Sequence, residues 1–349
     1  MKHNVLITGI GGGGVGRQII KAIKLTDLPV KLFGSDTSTV SFGKMDVDDF
    51  SLLPSASDED YINTLLSKCL QNKIKVIFPG SENELIKIAS FIKKFESQNI
   101  YVPINSKRLI DMCLNKFKCN ELLLENGFNC PRSFIISKIE DIDSIDFFPV
   151  VLKPSSGAGG SANVFIVQNK NELKVFSSYL LINDIKIIAQ EYIGNADNEY
   201  TVGVLSSTKG DIISSIVLKR HLKSGLGYKL GVKNKTPNNN LGKRLIISSG
   251  ISQGEFVERS FINETCEKIA TAIGSNSAIN VQGRIHNGKF YVFEINPRFS
   301  GTTSARAIVG YNEPEILLNE ILFNTTTEPH FKYKLGLVYR GLNERYITK

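Results

Sequence analysis

The chain predicts an α/β protein in which a Rossmann-like N-terminal block precedes a two-lobed α+β block. Three observations carry this. Short apolar runs alternate with helical periodicity through residues 1–105, the pattern of a parallel sheet with helices on both faces. A cluster of glycines separates the first strand from the first helix. Beyond Pro131 the alternation gives way to strands joined by hairpin-like turns.

In chain order, Val5–Thr8 reads as a buried strand, Val15–Leu25 as a helix, and Val30–Gly34 as a second strand leading to Asp36. Tyr61–Gln71 and Glu82–Phe95 have helical periodicity, with strands at Lys75–Phe78 and Ile100–Pro103. Ser106 opens a connector helix to Asn126, where Gly127 supplies a stop. Strands follow at Val150–Lys153, Val164–Val167, Ile187–Tyr192, Tyr200–Ser206, Ile212–Lys219, Ala278–Ile285 and Phe290–Asn296, with helices at about 171–181, 256–273 and 313–323. The Gly- and Asn-rich stretch Lys223–Lys243 reads as a mobile loop. The boundaries drawn are 1–105, 106–185 (helix 106–126 as connector), 186–330, and a C-terminal tail 331–349.

Composition narrows the function. With 42% apolar and 22% charged residues the chain is ordinary for a globular protein. No apolar run approaches the ~20 residues that span a bilayer, and glycines interrupt any leader-like start. The five cysteines lack a CxxC pair, which fits reduced thiols in a cytoplasmic protein. The +8 net charge is scattered, with no basic stripe interleaved with aromatics, so a nucleic-acid surface is not expected.

The turn Gly9–Gly16, with Asp36 downstream, has the look of a dinucleotide fingerprint. It would suit an NAD(P)-dependent dehydrogenase or epimerase; as retained architecture, its helix N-terminus could serve a carboxylate instead.

The second block carries parts suited to phosphoryl transfer, which needs positioning and cations around the departing charge. Lys153 ends an apolar strand and is followed by Ser155, Ser156, Gly157, Ala158, Gly159 and Gly160, a loop able to lay backbone N–H groups over phosphates. Gln190-Glu191-Tyr192-Ile193 at a strand end can present backbone groups to a base, and Glu199 can grip ribose hydroxyls. In Phe290–Arg298, Glu294 and Asn296 are two apart and share one face, while Phe293 and Ile295 should point into the core. Such oxygen ligands beside Arg298 suit Mg²⁺ on ATP phosphates. Gln282 and Arg284 join that face only if Asn280 pairs with Glu294, so a three-residue loop His286-Asn287-Gly288 is expected; a two-residue Asn287-Gly288 turn would turn Gln282 away.

Together these motifs resemble the ATP-grasp superfamily, most closely single-chain relatives of the carbamoyl-phosphate synthase large subunit. The resemblance rests on the order and spacing of Val5-Leu6-Ile7-Thr8-Gly9, Phe78-Pro79-Gly80-Ser81-Glu82-Asn83-Glu84-Leu85, Asn115-Lys116-Phe117, Leu152-Lys153-Pro154, Gln190–Gly194, Asn280-Val281-Gln282-Gly283 and Phe293–Arg298. It implies a pre-ATP-grasp domain followed by ATP-grasp A and B subdomains. It further implies Lys116 and Lys153 on ATP phosphates, and Gln190 and the Tyr192 backbone on adenine. Glu199 would bind ribose; Gln282, Glu294 and Asn296 would hold Mg²⁺ (or Mn²⁺); Arg298 would stabilise the transferring phosphoryl group. The implied activity is amide formation from a small carboxylate and a small amine through an acyl phosphate, with a homodimer as the analogous assembly.

Gln190 departs from the glutamate of many relatives, and the basic residue after the central hairpin is either Lys219 or Arg220. Arg284, Arg298 and Arg306 are candidates to clamp the acceptor carboxylate, and His221 to take the amine proton. The alternatives are the NAD(P) enzyme and a non-catalytic ATP-binding regulator.

Overall fold

A computed structural model describes residues 2–156, 163–223 and 226–341. The N-terminal block is a parallel sheet of β1 (His3–Ile7), β2 (Val30–Asp36), β3 (Asp49–Leu52) and β4 (Ile74–Phe78), in the order β3-β2-β1-β4. Period two in β1 sends Val5 and Ile7 to one apolar cluster and Leu6 to the other. Helix α1 (Val15–Ile23) covers the first face with Ile19, Ile20 and Ile23. Helix α2 (Tyr61–Gln71) covers the second with Tyr61, Ile62 and Leu65.

A left-handed residue and a close approach fix the glycine turn. Gly9 has φ +57°, and a Cβ on Gly16 would lie 2.5 Å from the Thr8 carbonyl oxygen.

Several expectations change here. Ile100–Pro103 contributes only a bridge from Tyr101 to Val76, since Pro103 has no N–H to extend a ladder. The helix expected at Glu82–Phe95 divides at Phe91 into α3 (Glu82–Ser90) and α4 (Ile92–Glu96). The connector divides at Asn115 into α5 (Lys107–Leu114) and α6 (Lys116–Glu125). Asn115 leaves helical geometry and its side chain accepts from the Lys118 N–H at 3.1 Å, so it caps the new helix and places Lys116 in its first turn.

The next sheet comprises β5 (Ser133–Ile136), β6 (Val150–Pro154), β7 (Phe165–Val167) and β8 (Ile187–Glu191), in the order β5-β8-β6-β7, covered by α7 (Lys170–Ile182). The largest sheet comprises β9 (Glu199–Ser206), β10 (Ile212–Arg220), β13 (Gly254–Phe256), β14 (Ala278–His286), β15 (Lys289–Asn296) and β16 (Gly336–Val338). Its order is β15-β14-β9-β10-β13-β16, with every neighbour antiparallel. Helix α8 (Ser260–Ala272) packs Ile262, Cys266 and Ile269 on it; α9 (Thr303–Ile308) and α10 (Glu313–Phe323) follow.

Of the stretch read as a mobile loop, residues 228–233 form β11 (Tyr228–Lys233), paired with the following β12 (Arg244–Ser248), residues 234–243 connect the two, and residues 224 and 225 lie outside the described residues. Leu245 is fully buried, and Leu230, Val232 and Ile247 pack beside it, an apolar anchor that the flanking Gly and Asn residues obscure. Likewise the segment read as a tail adds β16 to the large sheet. All five cysteines are buried and free. Among the described residues no helix is long and apolar enough to cross a membrane.

Candidate functional site

A cleft of about 540 Å³ lies between the two α+β sheets and the glycine turn of the first block. Its walls include Lys116, Lys153, Gln190–Ile193, Glu199, Arg220, Gln282, Arg284, Glu294, Asn296 and Arg298. Thus most of the residues singled out by sequence converge on one place.

The register of β14 on β15 decides the centre of the site. The turn is the two-residue Asn287-Gly288, with φ of +47° and +73°, so His286 pairs with Lys289; the three-residue loop does not form. Gln282 nevertheless pairs with Glu294, because the ladder shifts by one residue between Gly283↔Val292 and Gln282↔Glu294. Phe293 is the extra residue, a β-bulge that re-aims the strand. Hence Phe293 lines the cleft rather than the core, a second correction, while Ile295 is buried as expected. Gln282, Glu294 and Asn296 end on one side, supplying hard oxygen donors that fit Mg²⁺, a cation that keeps some of its waters and takes phosphate oxygens. Glu294 carries no ion pair or hydrogen bond to another described residue, whereas Asn296 Oδ1 accepts from Arg298 Nη2 at 3.0 Å and Gln282 Oε1 from Arg220 Nη1 at 3.4 Å.

On the other wall, Lys153 donates to Gln190 Oε1 at 2.8 Å and to the Phe293 carbonyl at 3.3 Å. Gln190 is held in turn by Ser133 Oγ, at 3.1 Å from Nε2. Burial pushes the Lys153 ammonium down to about 8; Glu294 opposes that fall and Lys116 adds to it. Ser156 is exposed and bridged to Asn115, and the Lys116 N–H donates to the Ser155 carbonyl at 3.0 Å. Gly157, Gly159 and Gly160 lie outside the described residues.

At the strand end, the Tyr192 N–H is taken by the Pro149 carbonyl at 3.0 Å, so its backbone donor is not open to a base. The next donor, the Ile193 N–H, has no acceptor among the described residues. Glu191 turns outward, its carboxylate bound two-pronged by Arg132 at 3.0 and 3.3 Å.

The strand alternation along β10 separates the two basic residues after the hairpin. Arg220 is buried and lines the cleft; Lys219 falls on the other side. Arg220 Nη1 donates to Glu199 Oε1 at 3.1 Å and Ser248 Oγ at 2.9 Å, and Nη2 to the Ser249 carbonyl at 2.7 Å.

Arg284 holds the opposite oxygen, Glu199 Oε2, at 3.0 and 2.8 Å, bonds the carbonyls of Ile193 and Ile246, and stacks on Tyr192. With its donors so engaged, Arg284 is not an acceptor clamp; it cross-braces this wall of the cleft. Glu199 is 1% exposed, but Oε1 accepts a single short bond to Arg220 and keeps capacity for another donor.

Two further candidates fall outside. Arg306 is 1% exposed and paired with Glu313 at 2.9 Å, its other nitrogen bound to Asn280 Oδ1 at 2.6 Å, so it is a structural ion pair beneath the cleft. His221 is exposed and absent from the cleft walls, since it lies one position beyond inward-facing Arg220.

Sequence reading missed Glu82, which reaches Arg298 at 3.6 Å from the first turn of α3, and the lining stretch Ser248–Ser252. The apolar alternation of Leu245 and Ile247 was the available signal for the latter.

Comparisons with known proteins agree with this fold. A family model described as the ATP-grasp domain matches residues 113–302, and one described as the PylC-like N-terminal domain matches residues 5–103. The carbamoyl phosphate synthase large chain of Clostridium beijerinckii is 24% identical over 381 residues, covering 97% of this chain and 33% of that protein. The chain thus spans about a third of the length of the curated relatives it matches. The L-amino acid ligase from Bacillus licheniformis superposes with a TM-score of 0.66 at 19% identity, over 92% of this chain and 74% of that one. An N5-carboxyaminoimidazole synthetase from Staphylococcus aureus gives 0.66 at 17% identity, over 94% and 79%.

Proposed function

Because the chain belongs to the ATP-grasp family, we propose that it is an ATP-dependent ligase that joins a small carboxylate to a small amine. The observation that carries the reading is Glu294. Among the described residues its carboxylate makes no hydrogen bond or ion pair; it stands in the cleft beside Gln282 and Asn296, within a site otherwise rich in basic side chains. An unpaired carboxylate there is costly unless a cation joins it.

In this reading the purine lies against Gln190 and the Ile193 backbone, and ribose against Glu199 Oε1. Lys116 and Lys153 hold the phosphates. Magnesium, held by Gln282, Glu294 and Asn296, would neutralise charge on the transferring phosphoryl group; Mn²⁺ takes the same donors. A carboxylate oxygen attacks the γ-phosphorus and the bond to the β–γ bridging oxygen breaks, giving an acyl phosphate and ADP. The amine then attacks the acyl carbon, phosphate leaves, and the amine proton passes to it. Arg298, at the border between Asn296 and Glu82, stabilises charge on the group in transit.

The test is Mg²⁺-dependent ADP and phosphate release across a panel of acids and amines, with Glu294→Ala as control. Release that needs one acid–amine pair and disappears in the variant supports the ligase. ATP binding with no release for any pair favours a regulator, and NAD(H) binding without ATP binding overturns the reading.

A further inference from the structure

Arg340 follows β16, outside every motif that the sequence brings forward, yet three cleft-lining loops meet at it. Its Nη1 donates to the Gly301 carbonyl, within the turn Ser300–Thr302 that lines the cleft. Its Nη2 donates to Gln18 Oε1 at 2.8 Å. Gln18 lies on α1, donates back through Nε2 to the Gly13 carbonyl at 3.3 Å, and also accepts from Ser304 Oγ at 2.5 Å. Gly13 and Gly14 line the cleft. The Arg340 N–H donates to Gln253 Oε1 at 3.3 Å, directly after the lining stretch Gly250–Ser252.

Pairing of β16 with β13, Gly254↔Val338 through Phe256↔Gly336, brings the chain to this point. A planar guanidinium fork can serve Gly301 and Gln18 at once; one ammonium cannot hold both in the same geometry.

We propose that Arg340 is a positioning residue. It fixes the glycine turn, the 250–252 stretch and the 300–302 turn relative to one another, and so shapes the part of the cleft that receives the carboxylate substrate. That assignment of the cleft rests on the ligase reading; the bracing itself does not. Nothing on the nucleotide wall, at Lys153, Gln190 or Glu199, touches Arg340, so nucleotide affinity is independent of it.

The experiment compares the full-length protein with Arg340→Met and Arg340→Lys. Hydrogen exchange is followed by mass spectrometry over the three loops, and ATP affinity by calorimetry with Mg²⁺. KM and kcat are measured for whichever acid the panel identifies. Arg340→Met is expected to raise exchange in the glycine turn and the 300–302 turn together, to spare the 250–252 stretch, whose contact is the backbone N–H that methionine keeps, and to leave ATP affinity unchanged. It should raise KM for the acid on the order of tenfold, the scale of a lost charged hydrogen bond, with a smaller effect on kcat. Arg340→Lys, keeping charge without the fork, should fall between. Faster exchange confined to residues 336–340, or an equal worsening of ATP affinity and KM, overturns the proposal. Should no acid be turned over, the ligase reading fails and the exchange pattern still decides the bracing.

Discussion

Replacing Gln190 by glutamate should change how ATP binding depends on pH. Lys153 is 7% exposed, and its nearest partners are neutral, Gln190 Oε1 at 2.8 Å and the Phe293 carbonyl at 3.3 Å. Burial lowers its pKa from 10.5 to about 8, a displacement worth roughly 3 kcal/mol against the charged form. At pH 7 about nine-tenths of the side chains carry the proton, and at pH 9 about one-tenth. A triphosphate favours the ammonium form, so binding above pH 8 must take up a proton. Wild-type affinity should therefore weaken by about tenfold per pH unit above that point.

A carboxylate at position 190 would sit at hydrogen-bonding distance and return the lysine toward its ordinary range. The profile of Gln190→Glu should then stay flat to about pH 9.5. Stability moves the opposite way from the usual lysine pair. The folded pKa is below the unfolded value, so between about 8 and 10.5 the folded state binds fewer protons. The burial cost is full below that window and relieved as pH rises through it. Calorimetry of ATP with Mg²⁺, in two buffers of different protonation enthalpy, reads both affinity and proton uptake. A wild-type Kd constant to about pH 9.5 with no buffer-dependent heat would refute the reasoning, as would a variant that keeps the wild-type slope.

Other consequences are simpler to read. Glu313→Ala leaves Arg306 buried and unpaired, and should cost about 3–5 kcal/mol in denaturant unfolding; Glu313→Gln, which keeps one oxygen to accept from Arg306 and turns its NH2 to the Thr303 hydroxyl, which can accept, should cost less. Gly288→Val forces a β-branched residue to φ +73° in the turn that pairs His286 with Lys289, the register from which the bulge at Phe293 brings Gln282 opposite Glu294. A loss of about 1–3 kcal/mol in stability is expected, with weaker Mg²⁺ dependence of any phosphate release; unchanged values for both would disprove the register argument. Glu82→Gln removes the carboxylate facing Arg298 and should shift the KM for the acid without altering the Kd for ATP, which a steady-state and calorimetric pair would check.

The architecture was legible wherever one physical signal dominated. Strands β1, β2 and β4 and helices α1 and α2 followed from apolar runs alternating with helical periodicity, and Tyr61–Gln71 matches to the residue, whereas the short edge strand β3, polar at Asp49 and Ser51, gave no such signal. The cleft residues were legible because their side chains are unusual for their strands: a lysine ending Val150–Leu152, a carboxylate within Phe290–Ile295.

What sequence missed was pairing. The grouping of Gln282 with Glu294 was expected for the wrong reason, since a bulge at Phe293 does what the longer loop was meant to do, and bulges leave no local signature. Arg284 and Arg306 read as free clamps because their partners, Glu199 and Glu313, are distant or unremarkable in sequence; only the fold shows them neutralised. Strand β16 and Arg340 were hidden because a short edge strand depends on a partner, β13, that is itself three residues long.

The central claim is transfer of phosphoryl to a carboxylate, and oxygen tracing tests it most directly. The acid identified in the panel is supplied with ¹⁸O in its carboxylate, with ATP, Mg²⁺ and the amine, and the released phosphate is analysed by mass spectrometry. The account predicts ADP together with phosphate carrying one ¹⁸O per turnover, because the attacking carboxylate oxygen leaves with the phosphate. Unlabelled phosphate, or AMP and pyrophosphate in place of ADP and phosphate, would contradict it.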